Sequence, residues 1–276
     1  VVAPFVSIAA VQIALTDILR ALGIVPDGIV GHSVGELGAA YMDGVLTHEQ
    51  MLLNAYWRGK CTEDDLSRPR GLMAAVGLSW EAAAARCPPG VYVACHNAED
   101  SVTISGTEAD VIALVEQLQS ESVFAKIVKT SNIPYHSEHI KPIGPELLKR
   151  LSEVIPVPVL RSSKWISTSV PQNEWHTNRA KYSAPEYYVN NLTSPVLFHQ
   201  ALALVPKDAI IVEIAPHSLL NALIKRTAGS AIEYVHLMAR DNSEGNAALL
   251  FESIGKLYNL GLNPNINVLY PPVQYP

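Results

Sequence analysis

The sequence has only three cysteines, Cys61, Cys87 and Cys95, and no two of them stand in a C-x-x-C spacing. An odd, unpatterned set excludes a disulfide framework and a structural zinc site, and it points to a reducing, cytosolic compartment. Charge is sparse as well. Only 17% of the residues are Asp, Glu, Lys or Arg, the formal net charge is −6, and the basic residues are scattered and form no runs. That distribution excludes a nucleic-acid surface. No stretch holds the roughly 18 uninterrupted apolar residues of a membrane span, and no basic-then-apolar leader pattern, internal repeat or low-complexity tract is present, so no membrane partner is expected.

What the chain does have is enough apolar sequence, 49% of 276 residues, to bury a full core. Residues 5–22 form a helix so densely apolar that burial on most sides is expected. The chain starts inside that helix and ends in the proline-rich PNINVLYPPVQYP. It therefore reads as a piece of a longer polypeptide, with residues 263–276 as an extended linker.

Between residues 70 and 131 the pattern runs strand, helix, strand, strand, helix, strand, the ferredoxin-like order. On either side, helices alternate with near-continuous β-branched runs such as KWISTSV and AIIVEIA, the texture of a parallel sheet. The fold class is α/β. An α/β-hydrolase-like large subdomain (1–69 and 132–262) with a parallel sheet carries an inserted ferredoxin-like small subdomain (70–131).

The pentapeptide Gly31-His32-Ser33-Val34-Gly35 lies between a short strand and a helix. A serine on such a tight turn needs neighbours without side chains, and the Val34 and Gly35 N–H groups at the helix start can stabilise an oxyanion. The alternative is a glycine-rich turn in which Ser33 only caps the helix. An activated serine needs a base. Of nine histidines, His136, on the loop IPYHS, is the best placed in sequence; His32 adjoins the serine, and structural support of the turn is its expected role. No acidic residue stands where a hydrolase triad would put it, so another group must orient the base. Arg58, in the helix NAYWRGKC, is a cation on an aromatic and small-residue face with no acid at i−3 or i−4. It either pairs with the acids at 63–65 or clamps a substrate carboxylate. Asn191-Leu192-Thr193 fits a glycosylation sequon, expected to be silent.

GHSVGELGAAYMDG, AYWRGKC, GLMAAVGLSWE, VACHNAEDSVTISG, VFAKIVKTSNIPYHS and NNLTSPVLF follow one another in an order and spacing that resembles the malonyl/acetyl acyltransferase domain of animal type I fatty acid synthase, a pattern shared by animal polyketide synthases related to it. The resemblance runs from about Phe5 to the end of the chain. It implies a Ser33 acyl-enzyme that moves a malonyl-type unit from coenzyme A to the phosphopantetheine thiol of an acyl carrier protein, beside a ketosynthase domain in the same polypeptide. No bound cofactor and no metal are implied.

By the same resemblance His136 is the acid–base, a main-chain carbonyl at or near Leu197 orients it, Val34 supplies an oxyanion N–H, Arg58 holds the malonyl carboxylate and Lys126 contacts coenzyme A phosphate. The resemblance also implies an N-terminal strand that is missing here, followed by a loop that supplies a second oxyanion donor, both expected upstream of Val1. Loss of that donor would cost roughly 3–4 kcal/mol in the transfer barrier. Pro134-Tyr135 replaces the family's alanine-phenylalanine in the acyl pocket, which leaves malonyl and methylmalonyl both open. A serine hydrolase such as a thioesterase, or a non-catalytic scaffold domain, are the competing readings.

Overall fold

The structure, a computed structural model, describes residues 1–229, 231–240 and 244–271. Helix α1 (Val2–Ala21) leads through a turn at Gly23 to strand β1 (Ile29–Val30), the turn that carries Ser33 and helix α2 (Gly35–Met42). Helix α3 (His48–Asp64) opens on a capping box: the Gln50 amide donates to Thr47 Oγ1 at 3.1 Å and the Thr47 amide to Gln50 Oε1 at 3.0 Å.

The small lobe follows: β2 (Gly71–Val76), α4 (Trp80–Arg86), β3 (Val91–Ala98), β4 (Ser101–Thr107), α5 (Glu108–Ser120) and β5 (Ala125–Val128). Its four strands form an antiparallel sheet in the order β3-β4-β2-β5, the ferredoxin-like topology. Ser79 and Thr107 accept hydrogen bonds from the amides of Ala82 and Asp110 and so set where α4 and α5 begin. Val93, Val102 and Ile104 of the sheet pack against Val111, Leu114 and Leu118 of α5 in a core of their own.

The chain then returns to the large lobe through α6 (Gly144–Val154), β6 (Val159–Leu160), β7 (Trp165–Ile166), α7 (Asn178–Lys181), β8 (Tyr182–Ser183), α8 (Pro185–Thr193), α9 (Phe198–Leu202), β9 (Ile210–Glu213), α10 (Asn221–Ala228), β10 (Glu233–His236) and α11 (Asn246–Asn259). Strand β1 pairs parallel with β7, and β9 with β10, which makes the large lobe the α/β unit with parallel pairing. The strands are shorter and less buried than the apolar runs suggest: Ile210, Ile211 and Val212 of β9 are only half-buried. The lobes join where Cys95 pairs with Val196, the His96 amide donating to Val196 O at 2.8 Å and the Val196 amide to Ala94 O at 2.9 Å.

Helix α1 departs from expectation. It packs along α3 and α2, with Ala9 in the main core and Leu15 and Leu19 in a second cluster with Val235, Leu237 and Leu257, but Ala3, Ser7, Ala10, Ala14 and Asp17 are exposed. Small side chains there leave no large apolar surface to hide. With 20 residues and a mean hydropathy of 1.9, α1 is also long and apolar enough by composition to cross a bilayer, although Gln12, Thr16 and Asp17 interrupt the run. Of the segment expected as a linker, the described part lies against the end of α1, the Asn265 amide donating to Leu22 O at 2.8 Å; residues 272–276 lie outside the described residues.

The two glycines of the pentapeptide are not equivalent. A Cβ on Gly31 would stand 2.5 Å from both the Glu36 amide nitrogen and the Gly35 carbonyl carbon, whereas one on Gly35 would meet nothing within 4 Å. Gly31→Ala should cost roughly 1–3 kcal/mol or more, because backbone must move, while Gly35→Ala should stay within about 0.5 kcal/mol of the parent. Urea denaturation midpoints of the two variants check this.

Candidate active site

Ser33 follows β1 directly, with φ of +53°. That left-handed conformation is rare outside glycine and costs of the order of 1–3 kcal/mol. It turns the side chain outward at the start of α2. His136 also has a positive φ, +58°, on the loop that re-enters the large lobe. The two strained residues meet: Ser33 Oγ lies 2.7 Å from His136 Nε2.

On its far side His136 Nδ1 lies 2.9 Å from the main-chain oxygen of Ser194. A carbonyl only accepts, so Nδ1 carries the proton and Nε2 is left with a lone pair toward the serine. This corrects the expectation at Leu197. The Leu197 amide instead donates to Thr168 O at 2.7 Å, and the turn after α8 brings the carbonyl three residues earlier to the ring. His136 is 3% exposed. Burial first, and then the positive charge of Arg58, push its pKa down to about 3 against the opposing pull of the Ser194 carbonyl.

Arg58 of α3 is 1% exposed and has no carboxylate partner among the described residues. The acids at 63–65 are engaged elsewhere: Glu63 with the backbone nitrogens of Val1 and Val2, Asp64 with Lys60, Asp65 with Ser67. Nη1 donates to Asn191 Oδ1, Nη2 lies 3.4 Å from Ser33 Oγ, and Nε has no acceptor. Burial lowers the guanidinium pKa to about 10, so the charge persists at neutral pH. A buried cation with no counter-ion, pointing at Ser33, is suited to receive an anion.

Around it, Tyr135 packs edge-on to Phe5 of α1 with ring centroids 5.7 Å apart, and the Arg58 guanidinium stands 5.3 Å from the Phe5 ring centre. Burial pushes the Tyr135 phenol up to about 12. Pro134 is buried against Gly71, where any Cβ would lie 2.5 Å from the proline Cβ. Within this dipeptide it is Tyr135 that meets the Arg58 side.

The Val34 amide has no acceptor among the described residues, but the Gly35 amide is committed to His32 O at 2.8 Å, which removes Gly35 from the expected oxyanion donors. His32 is tied to Asn97 Oδ1 at 2.9 Å, across the lobe boundary. Lys126 is exposed on edge strand β5. A cavity of about 630 Å³ opens between the lobes at the opposite edge of that sheet, lined by Trp80, Cys87, Tyr92, His136, Lys141 and Ser194.

Sequence reasoning missed three residues. Asn191 was visible only as a sequon; at 2% exposure it is out of reach of modification, and its Nδ2 donates to Ser33 O at 3.1 Å and to Ser169 Oγ at 2.8 Å while Oδ1 holds Arg58. A polar residue on the apolar face of PEYYVNNLT was the available signal. Phe5 was hidden among the other apolar residues of α1, and Ser194 acts through a carbonyl that every residue has.

A family profile described as "Acyl transferase domain" matches residues 1–262. The chain is 35% identical over 276 residues to highly reducing polyketide synthase sphB of Aspergillus fumigatus, covering 95% of this chain and 10% of that protein. It is 39% identical over 228 residues to reducing polyketide synthase DEP5 of Fusarium langsethiae, covering 79% and 9%. The chain thus spans about a tenth of the length of these relatives. Among solved structures it resembles the acyltransferase domain from module 8 of the salinomycin polyketide synthase, with a TM-score of 0.81 at 22% identity over 95% of this chain and 61% of that one. It also resembles the acyltransferase domain of phenolphthiocerol/phthiocerol synthase A from Mycobacterium bovis (BCG), with a TM-score of 0.76 at 24% identity over 86% and 91%. At these identities the structural likeness speaks for the fold.

A base whose folded pKa lies below its unfolded value of 6.5 is neutral in the native state, so the unfolded chain binds the extra proton. Stability from this group is complete above pH 6.5 and is lost as pH falls toward 3. Thermal unfolding of the parent and of His136→Asn between pH 4 and 7 should show a shallower acid decline in the variant.

Proposed function

This chain belongs to the acyl transferase domain family, the kind found in polyketide synthases, and from that premise we propose that it loads a malonyl-type acyl group onto a carrier protein through an ester on Ser33. His136 Nε2 takes the Ser33 proton as Oγ attacks the thioester carbonyl, and the Val34 N–H receives the developing oxyanion. Collapse of the intermediate breaks the carbon–sulfur bond, and the imidazolium returns the proton to the departing coenzyme A thiolate. The phosphopantetheine thiol of an acyl carrier protein then attacks the ester by the reverse proton path. The Ser194 carbonyl keeps the imidazole in the tautomer that both halves need.

The observation that carries the choice of acyl group is the buried Arg58 with no internal counter-ion, 3.4 Å from the nucleophile oxygen. So short a distance suits a short acyl group ending in a carboxylate, and a pair with the guanidinium N–H bonds that Asn191 and Ser33 leave over discriminates it from acetyl. The Tyr135 and Phe5 rings form the wall beside it. Lys126, on the exposed sheet edge, suits only the distal phosphates of an extended ligand.

The relatives named above support a reducing polyketide synthase as the parent, in place of the animal fatty acid synthase drawn from the motifs. A ketosynthase and a carrier protein in the same polypeptide are the partners this reading implies. We assign residues 70–131 to the inserted subdomain and 1–69 with 132–262 to the core. The unpaired thiols of Cys61, Cys87 and Cys95 support a reducing, cytosolic setting.

Intact mass after mixing with malonyl-coenzyme A tests the reading. The parent should gain one malonyl group and Ser33→Ala none; a scaffold domain would gain none in either, and a hydrolase would release free malonate without a carrier. Arg58→Ala should lose roughly 2–5 kcal/mol of malonyl recognition while acetyl loading is retained. Equal loss of both acyl groups would remove the clamp.

A further inference from the structure

Glu36, three residues after the nucleophile, takes no part in the steps above, yet its carboxyl is completely enclosed. Its proton state follows from its partners. The Ser169 and Val170 amides donate to Ser167 Oγ at 3.1 and 3.2 Å, which occupies both of its lone pairs. Ser167 therefore gives its own proton to Tyr187 Oη, 2.7 Å away, and Tyr187 in turn donates to Glu36 Oε2. The other oxygen, Oε1, accepts from the Thr168 amide at 3.0 Å and lies 2.8 Å from Thr168 Oγ1. That same hydroxyl lies 2.7 Å from the carbonyl oxygen of Gly31. A carbonyl and a carboxylate both only accept, so the single Thr168 hydroxyl proton can serve one of these two contacts, and both are filled only when that proton goes to Gly31 and the carboxyl supplies another. The 2.8 Å contact between Oγ1 and Oε1 then contains a proton only if the carboxyl brings it.

We propose that Glu36 is a neutral carboxylic acid in the folded protein, and that its proton completes a chain from Glu36 Oε1 through Thr168 Oγ1 to Gly31 O that fixes the nucleophile turn. Glu36 is thus a positioning residue, acting on Ser33 through Gly31. Thr168 O also receives the Leu197 amide at 2.7 Å, so one residue ties the turn of Ser33 to the segment that carries the Ser194 carbonyl.

The charged and titratable groups facing Glu36 are Arg161, Tyr187 and Tyr188. Arg161 forms no ion pair with it: its guanidinium lies over the rings of Trp165 and Tyr187 at 4.0 and 5.0 Å and donates to Trp165 O at 2.6 Å. Burial, the largest influence, raises the Glu36 pKa against the field of Arg161 and the hydrogen bonds of Tyr187 and Thr168. A carboxyl with a raised folded pKa contributes its full stabilisation below the unfolded value and loses it as pH climbs through the folded one.

The test uses the full chain labelled with carbon-13 at the glutamate carboxyls. At pH 7 the spectrum should contain a resonance at the protonated-acid position that Glu36→Gln removes and Thr168→Val shifts. A spectrum with every glutamate at the carboxylate position overturns the proposal whether or not either variant folds, as does removal of a carboxylate resonance by Glu36→Gln. This readout is independent of the acyl-transfer reading. In acylation of Ser33, Glu36→Gln keeps the donor to Thr168 Oγ1 and the acceptor for Tyr187 but loses the acceptor for the Thr168 amide, and should therefore lose less of the rate than Glu36→Ala, which loses all three. Equal loss in both variants, each folded, would end the positioning role.

Discussion

The hydrogen bond between Ser33 and His136 joins two residues that the backbone holds in left-handed conformations. Neither is a glycine, and neither would adopt that geometry in a free peptide. The surrounding structure therefore overdetermines both. On the serine side the restraint is close packing of Gly31 under the first turn of α2. On the histidine side it is the Ser194 carbonyl and the hydrogen bond from Ser137 Oγ to Pro134 O at 2.6 Å, which closes the loop just before the ring. Strain of this kind, stored at a serine and a histidine in hydrogen-bond contact, clusters at functional sites.

The second organising feature is electrostatic. A protein of this size has enough acidic residues to neutralise an interior arginine, and three of them stand within seven residues of Arg58 in the sequence. None does so. The guanidinium instead rests on an amide oxygen, that of Asn191, which holds its position without cancelling its charge. Its field also helps keep His136 unprotonated, so in the proposed reaction one side chain both attracts an anionic acyl group and maintains the imidazole in the form that can accept a proton.

Much of this was legible before any coordinates. The ferredoxin-like order could be read because its signals are local: period-two strands, caps at Ser79 and Thr107, and a turn between β3 and β4. Gly31 and Ser33 announced a tight turn for a steric reason that composition preserves, and Arg58 stood out because a cation on an apolar helix face needs an explanation. What could not be read depends on the path of the chain in space. Any of several peptide carbonyls after α8 could have met His136, and side-chain chemistry does not separate Ser194 from Leu197. The exposure of α1 was misjudged because apolarity states a preference for burial but not the number of neighbours available to provide it. Asn191 and Glu36 are ordinary residues whose meaning comes from what α8 and the segment after β7 bring against them.

The joint between the lobes is a shared core of Met73, Ala94 and Cys95 with Val196, Phe198 and Ile224, and the place where its main-chain hydrogen bonds are made matters. The small sheet is fastened to the large lobe by main-chain hydrogen bonds at Val196, two residues beyond the carbonyl that seats the imidazole. A shift of the small sheet against the large lobe would therefore pull on the same short stretch of backbone that seats the His136 ring.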